Sequence, residues 1–420
     1  MAPKSFIKKT FHWIVRLGLL SAAVLLALGG PLPAALAGVF PGLSPLVLAS
    51  GTLAEMSWYR GLFWGGPAIA VLMMAVWRGR FFCRWICPAG TLYAVTGKAG
   101  ARKRLISFKL NGILFWTILF GAVAGLPLLV FLDPLSSFGR VTPFLKGLGS
   151  AAAVIPGVIL PAFIVLGLIQ PLVWCTHFCP LGYFFDLVNA RRKRPLITRP
   201  ETRRNIVMGL AIGVPLALIA RRFPFLRKSS AGSATAYPIL PPGADTPEKF
   251  AARCSRCYAC VDACPTKVIR VRAPVNRKLS QFFQPELDYA TFAGPPSDGI
   301  RKPVGFCDEF CTICTETCPT GAITQLNEEE KHSRQIGIAK VRQDACLAWT
   351  DGEHCMVCQE YCPYLAIGED VSEDGLPRPV VDPEICRGCG FCQNQCPAIR
   401  NGVAIVVHGV EKQGQAKDFF

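Results

Sequence analysis

The grouping of the cysteines constrains this 420-residue chain more than any other feature of its sequence. There are twenty cysteines, and all of them fall into short groups that end in Cys-Pro. Sixteen lie in the C-terminal half as four groups of four. These are Cys254, Cys257, Cys260 and Cys264; Cys307, Cys311, Cys314 and Cys318; Cys346, Cys355, Cys358 and Cys362; and Cys386, Cys389, Cys392 and Cys396.

The spacing within these groups indicates iron–sulfur chemistry. The first and last follow C-x2-C-x2-C-x3-C-P, the run that binds 4Fe–4S clusters in bacterial ferredoxins. The second and third widen only their first gap, to x3 and x8, which an insertion in the binding loop explains. Disulfide frameworks have irregular spacings, and zinc sites favour paired C-x2-C knuckles. The sequence therefore predicts four 4Fe–4S clusters in an α+β ferredoxin-like domain built from two two-cluster units.

The other four cysteines form an internal repeat in the N-terminal half. "FCRWICP" contains Cys83 and Cys87, and "WCTHFCP" contains Cys175 and Cys179, each 92 positions after its counterpart. We expect the two equivalent loops to converge on a further redox or metal centre, for which a fifth iron–sulfur cluster is a candidate. The alternative is that the loops hold thiols in a packed helix–loop junction. A cytoplasmic disulfide is disfavoured by the reducing compartment.

Charge divides the chain into two unlike halves. Residues 1–228 contain 26 Lys and Arg against 4 Asp and Glu, whereas residues 229–420 contain 19 against 24. The basic residues lie in short clusters between apolar runs, which is typical of membrane proteins and argues against a nucleic-acid partner. We predict an α-helical membrane domain of four to five transmembrane helices with a two-helix internal repeat. The apolar runs are about 12–30, 61–77, 112–132, 151–174 and 205–220.

The distribution of Lys and Arg predicts the orientation in the membrane. Loops 78–109 and 175–204 carry eight and seven basic residues, whereas loops 31–60 and 133–150 carry one and two. The N-terminus and both cysteine-bearing loops should therefore be cytoplasmic. A fifth span would then place the C-terminal half outside. The proline-broken segment 31–51 is predicted to be an extracytoplasmic or re-entrant loop.

Three parts are predicted: a membrane domain at 1–200, a fifth helix and linker at 201–247, and a four-cluster domain at 248–420. The fifth run opens with "TRRNIVMGL", which fits either a twin-arginine export signal or a basic flank of a transmembrane helix. The stretch "SAGSATAYP" fits either a flexible linker or a cleavage site near residue 236. The sequence leaves both pairs of interpretations open.

These motifs resemble two known families. The membrane half, with "FCRWICP" and "WCTHFCP", resembles the NapH/MauN membrane ferredoxin-type proteins. The C-terminal half, with its unusual C-x8-C-x2-C-x3-C-P group, resembles the NapG/MauM four-cluster ferredoxins. The chain thus looks like a fusion of the two in a bacterial inner membrane, although it lacks the cytoplasmic two-cluster segment with which NapH-type proteins usually continue.

The resemblance implies a quinol dehydrogenase that passes electrons from the quinone pool to an extracytoplasmic reductase or cytochrome. It also implies that the four motifs pair as first with last and second with third. In that setting Arg84, Trp85, His177 and Phe178 are candidates to shape a quinone pocket beside the repeat cysteines. The acidic C-terminal half predicts an acceptor with a basic docking patch.

Two other functions remain open on the sequence. One is an electron-supplying maturation factor for a periplasmic redox enzyme, and the other is a scaffold with structural clusters. The quinol dehydrogenase interpretation also meets a topological difficulty. Cytoplasmic cysteine pairs and external clusters would be separated by about 30 Å of hydrocarbon, which is too far for direct electron transfer.

Overall fold

The structure is a computed structural model that describes twelve segments of the chain. They are 3–28, 38–49, 62–100, 106–124, 132–145, 154–189, 200–222, 237–271, 281–289, 305–371, 375–398 and 403–417. The predicted cleavage or linker segment falls mostly at 223–236, which lies outside the described residues.

The N-terminal half contains helices joined by turns and short loops, and no strand, in the part that the structure describes. Its helices coincide with the predicted apolar runs, with additional short helices around the cysteines. The α-helices are α1 (Pro3–Leu28), α2 (Val39–Gly42), α3 (Leu62–Arg78), α4 (Phe81–Trp85), α5 (Pro88–Ala99), α6 (Asn111–Val123), α7 (Ser136–Leu145), α8 (Val154–Ile169), α9 (Pro180–Val188) and α10 (Pro200–Arg222); a π-helix spans Trp174–Phe178.

The two cysteine repeats fold in the same way. In each repeat a long helix, α3 or α8, is followed by a short helical segment that carries the first cysteine. The second cysteine, Cys87 or Cys179, caps the next helix, and its sulfur accepts a hydrogen bond at 3.4 Å from the backbone N–H of Gly90 or Gly182. The proline after it suits the first helical position because it has no N–H to leave unsatisfied.

The two repeats pack against each other through the turns that follow α3 and α8. A side chain at Gly97, near the end of α5, would meet Pro171, just after α8. Correspondingly, Arg80, just after α3, forms a 2.7 Å ion pair with Asp186 in α9.

Helices α6 and α10 run parallel and in close contact. Gly112 lies against Asn205 near their starts, and Gly213 lies against Thr117 further along. Because the glycines leave no side chain between them, the two backbones approach closely. The chain therefore leaves α10 at the same end of the bundle as it leaves α6.

The described residues of the C-terminal half form short helices and three two-stranded antiparallel sheets. Pairing joins β1 with β2, β3 with β6, and β4 with β5. The described strands are β1 (Ile269–Val271), β2 (Pro285–Leu287), β3 (Arg334–Val341), β4 (Ile367–Val371), β5 (Pro377–Val381) and β6 (Ile405–Gln415). The helices are α11 (Pro247–Arg253), α12 (Ala259–Ala263), α13 (Ile313–Thr317), α14 (Glu328–His332), α15 (Leu347–Thr350), α16 (Val357–Glu360) and α17 (Phe391–Gln395), with a 3-10 helix at Gln343–Ala345.

Within the described part of the chain, one helix is long and apolar enough to cross a membrane, at Pro200–Ile219. Four shorter apolar helices accompany it, at Thr10–Leu25, Gly65–Arg78, Asn111–Val123 and Gly157–Ile169. These five helices are the five predicted runs. The ferredoxin-like half has the predicted α+β character, whereas crossing of a membrane by the helical half stays a prediction.

Candidate iron–sulfur sites

The four repeat cysteines meet in one cavity, which we call the bundle pocket. It lies between the Cys-Pro ends of the two repeats. Its lining contains all four cysteine side chains together with Arg80, Trp174 and Pro134. The two repeat loops therefore meet at one cavity in the structure. The bundle pocket is lined by Cys83, Cys87, Cys175 and Cys179.

Two similar cavities occur in the last third of the chain. Site III contains the last cysteine of the third motif and the first three of the fourth. Site IV contains the first three of the third motif and the last of the fourth. Site III is lined by Cys362, Cys386, Cys389 and Cys392, and site IV by Cys346, Cys355, Cys358 and Cys396.

The first and second motifs exchange cysteines in the same way. Burial and the neighbouring Cys254, Cys257 and Cys318 raise the pKa of the Cys260 thiol. Burial and the neighbouring Cys307, Cys264 and Cys311 likewise raise the pKa of the Cys314 thiol. Site I is thus Cys254, Cys257, Cys260 and Cys318, and site II is Cys264, Cys307, Cys311 and Cys314.

The pairing implied by the family resemblance is therefore wrong. Motifs pair in chain order, first with second and third with fourth. The physical reason lies in the spacing: the fourth cysteine of each run is carried by the following turn to the neighbouring cluster. The nearest neighbour in space is the next motif along the chain, so the exchange stays within each consecutive pair.

The chemistry of these sites fits 4Fe–4S clusters. All twenty cysteines are free thiols. Burial raises the pKa of Cys257, Cys358 and Cys389 to about 12, so each thiol would keep its proton at neutral pH unless iron replaced it. Backbone N–H groups also reach the sulfurs, as Ala339 does to Cys386 at 3.4 Å and Ala366 to Cys362 at 3.3 Å.

A single metal ion does not fit the same residues. In the described segments, no three His, Cys, Asp or Glu side chains are close enough to hold one ion. Each site instead brings four cysteines together, the number that a 4Fe–4S cluster requires. Sites I to IV would each hold one cluster through four cysteines, and a bound cluster would supply one-electron transfer.

The four sites follow one another in a line. Sites II and III are joined directly, because the backbone N–H of Cys307 donates to the Cys389 carbonyl at 2.8 Å. Tyr289 packs at the same junction, and its hydroxyl donates to the Gly388 carbonyl at 2.8 Å. Sites III and IV adjoin through Cys392 and Cys358. Site I lies at one end of this line and site IV at the other.

Site I is the one that contacts the helical half. The Arg140 guanidinium on α7 is fully buried and donates to the backbone carbonyls of Arg256 at 3.1 Å and Ser255 at 3.4 Å. Its neighbour Gly139 lies so close to the Cys257 carbonyl that a side chain would have no room. The loop that wraps site I is thus seated on α7.

The same helix leads back to the bundle pocket. Pro134, which lines the pocket, is six residues before Arg140, a separation of about 9 Å if wound as helix and at most about 20 Å as extended chain. The predicted separation of the repeat cysteines from the four clusters by about 30 Å of hydrocarbon is therefore wrong. The 132–145 segment contacts the bundle pocket through Pro134 and the site I loop through Arg140.

Four residues that the sequence suggests for a quinone pocket beside the cysteines lie outside the lining of the bundle pocket. Arg84, Trp85, His177 and Phe178 do not line it. Helical geometry directs the residues between two cysteines of one turn away from the side that the cysteines share. Arg80 and Pro134 occupy the lining instead, and neither has a motif that would have indicated this role.

Buried cations accompany several of the sites. At the bundle pocket, Arg16 donates to the Gly90 carbonyl at 2.9 Å, and Arg80 donates to the Cys175 carbonyl at 3.3 Å. At site I, Arg256 is 1% exposed, and its backbone N–H reaches the Cys254 sulfur at 3.4 Å. At site II, Lys331 is 3% exposed. Positive charge beside an anionic cluster stabilises its reduced form.

Comparison with known proteins agrees with this chemistry. One family described as a 4Fe-4S binding domain matches residues 60–109 and 152–197, which contain the bundle-pocket cysteines. A second, with the same description, matches residues 247–270 around the first ferredoxin motif. The methylamine utilization ferredoxin-type protein MauM of Methylobacillus flagellatus is 30% identical over 218 residues, which are 50% of this chain and 84% of the relative.

The chain belongs to the MauM ferredoxin-type protein family. The ferredoxin-type protein NapG of Escherichia coli is 28% identical over 228 residues, 50% of this chain and 88% of its own length. Ferredoxin-type protein NapF of the same species is 28% identical over 171 residues, 41% of this chain and 84% of its own. No solved structure matches the chain. Membership of this family supports iron–sulfur electron transfer.

Proposed function

We propose that the chain is a membrane-anchored quinol dehydrogenase. Quinol is oxidised beside the bundle pocket, and electrons pass through sites I, II, III and IV in that order to an extracytoplasmic reductase or cytochrome. The observation that carries this proposal is the unbroken series of contacts from Pro134 and Arg140 through Cys307 and Cys389 to site IV. A fifth cluster in the bundle pocket would complete the series.

The membrane part of the proposal is supported by the helical half. Its cysteine segments resemble re-entrant hairpins, in which non-helical backbone at membrane depth is tolerated because protein surrounds it. The ferredoxin-like half contacts the 132–145 segment, which carries few basic residues. This favours an extracytoplasmic position for sites I to IV and a bacterial inner-membrane location for the whole chain.

Quinol oxidation is tested first by anaerobic addition of a menaquinol analogue to the detergent-purified protein. We expect the visible iron–sulfur absorbance to bleach in the wild type and to stay unbleached in Cys83→Ser, because this variant loses a bundle-pocket ligand. Cys346→Ser, at the far end of the line, serves as a matched control and should still bleach through sites I to III. Absence of bleaching in the wild type, with clusters still reducible by dithionite, would contradict quinol oxidation.

A second function has one observation in its favour. The MauM relatives are named for methylamine utilization, which suits an electron-supplying maturation factor for a periplasmic redox enzyme. In that case electrons would reach the clusters from a partner rather than from quinol. The failed bleaching described above, combined with intact dithionite reduction, would favour this alternative.

The buried Lys331 is expected to raise the reduction potential of the cluster at site II. Lys331 Nζ donates to the Asp308 carbonyl at 3.0 Å; burial alone would lower its pKa, but Cys307 and Cys314 outweigh burial and raise it. At a dielectric constant of about 20 and a distance of about 7 Å, one charge contributes about 2.4 kcal/mol, or about 100 mV for one electron.

We therefore expect Lys331→Met to lower the reduction potential of site II by up to about 100 mV. The change should appear in a redox titration followed by electron paramagnetic resonance. Lys412→Met, which removes an exposed charge on β6, is the control and should leave every potential unchanged. Equal potentials in the wild type and Lys331→Met would show that the lysine does not tune the site.

A further inference from the structure

The two cysteine repeats differ at one equivalent backbone carbonyl. The residue after the first cysteine is Arg84 in the first repeat and Thr176 in the second, 92 positions apart. The Arg84 carbonyl accepts a hydrogen bond from Nε2 of His12 at 2.8 Å. The Thr176 carbonyl accepts one from the side-chain amide of Asn111 at 3.4 Å. The same position is thus capped by imidazole in one repeat and by amide in the other.

This difference gives the first repeat a proton acceptor. A carbonyl oxygen only accepts, so Nε2 of His12 carries the hydrogen, and Nδ1 of the neutral ring keeps a free lone pair. An asparagine amide has no comparable basic nitrogen. Asn111 is also buried, at 7% exposed, whereas the His12 ring reaches the surface of the bundle. The second repeat has a histidine of its own, His177, but Nδ1 of that ring contacts the Thr176 hydroxyl at 2.6 Å. The repeats therefore differ in the group on the carbonyl after the first cysteine, which is an imidazole in the first and an amide in the second.

Aromatic side chains flank this histidine. The rings of His12 and Trp85 are 4.3 Å apart, centre to centre, at 54°. Trp85 stacks with Phe81 at 5.7 Å and 23°. Arg84 between them is exposed. The surface therefore combines flat apolar faces with one basic nitrogen and one cation, which suits a ligand that is an apolar aromatic ring bearing hydroxyl groups.

We propose that this surface, formed by His12, Phe81, Arg84 and Trp85, is where quinol binds and is oxidised. The proposal rests on the quinol dehydrogenase function and locates its substrate. Trp85 lies in the chain between Cys83 and Cys87, two of the four thiols of the bundle pocket, so the bound ring is adjacent to the electron acceptor. An ionisable residue on an apolar helical bundle is expected to be functional rather than structural.

The chemistry balances with this one base. Oxidation of a quinol to a quinone breaks two O–H bonds and releases two protons and two electrons. Nδ1 of His12 accepts the proton from the nearer hydroxyl, releases it to water, and then accepts the second. The electrons leave one at a time to the iron–sulfur centre that the four thiols of the bundle pocket would hold.

The proposal is tested with His12→Gln, whose amide can still donate to the Arg84 carbonyl but cannot accept a proton. We expect rapid-mixing experiments with a menaquinol analogue to show reduction on the order of 100-fold slower than in the wild type. Dithionite reduction should be unchanged. The matched control is His177→Gln in the second repeat, where the ring contacts the Thr176 hydroxyl; it should react with quinol at the wild-type rate.

A second readout does not depend on turnover. Wild-type protein is illuminated with a photoreactive azidoquinone, and the labelled peptides are identified by mass spectrometry. Labelling of 81–85 or of the α1 segment around His12, reduced in Trp85→Leu, supports the site. Labelling elsewhere, or wild-type rates in His12→Gln, overturns it. An unreactive wild type that is still labelled at this surface would instead refute quinol oxidation while retaining quinone binding.

Discussion

Gly139→Ala is expected to slow the passage of electrons from the bundle pocket to site I several-fold, because the rate of electron transfer falls with the distance between donor and acceptor. The added methyl group would collide with the Cys257 carbonyl, so α7 and the site I loop would have to separate. The buried contacts of Arg140 with the same loop would lengthen as well. Electron transfer weakens steeply with distance, so a small shift has a large effect.

This expectation is checked by freeze-quench paramagnetic resonance during reduction by a menaquinol analogue. In Gly139→Ala the signals of sites I to IV should appear late, while dithionite still reduces them fully. Gly66→Ala is the matched control, because a methyl group on that helical glycine would meet no atom within 4 Å. If the clusters of both variants are reduced at the wild-type rate, electrons do not pass from the bundle pocket to site I through α7.

Cys318→Ser is expected to remove the cluster of site I, although this cysteine belongs to the second motif. The same cluster should disappear in Cys257→Ser, because the two cysteines share one site. The double variant should lose no more iron than either single variant, about four atoms per chain. Iron analysis and paramagnetic resonance of the reduced protein provide the measurement.

Cys396→Ser provides the comparison for this experiment. In the structure it shares site IV with Cys355, so these two variants should lose one and the same cluster, different from that of Cys318→Ser. Pairing of the first motif with the last would instead make Cys396→Ser and Cys257→Ser equivalent. That result would contradict the exchange within consecutive motifs.

The sequence predicted the composition of the sites better than their arrangement. Four cysteines at x2, x2 and x3 spacing identify a cluster-binding run because the spacing itself is the requirement of the cluster. The spacing does not say which two runs share their cysteines. The x8 insertion between Cys346 and Cys355 supports a family resemblance that implies pairing of the first run with the last. The rule that the fourth cysteine binds the adjacent cluster favours pairing of consecutive runs.

The path between the two halves had no signal in the sequence. Arg140 is one arginine in an apolar stretch, and its partners are backbone carbonyls more than 100 residues away. Backbone acceptors leave no residue pattern, so this junction could be found only in three dimensions. The helices that begin at the capping cysteines did have a signal, since Pro88 and Pro180 are typical first residues of helices.

The exchange of cysteines between neighbouring motifs constrains the order in which the protein can be made. Neither pocket of the second unit has all its ligands until the chain has been synthesised to Cys392 for site III and to Cys396 for site IV. Site I likewise waits for Cys318. A growing chain therefore offers only incomplete sets of thiols for most of its synthesis. Insertion of iron into the second unit must be a late step in biogenesis, and shortening the chain by its last thirty residues would leave both of that unit's sites without ligands they need.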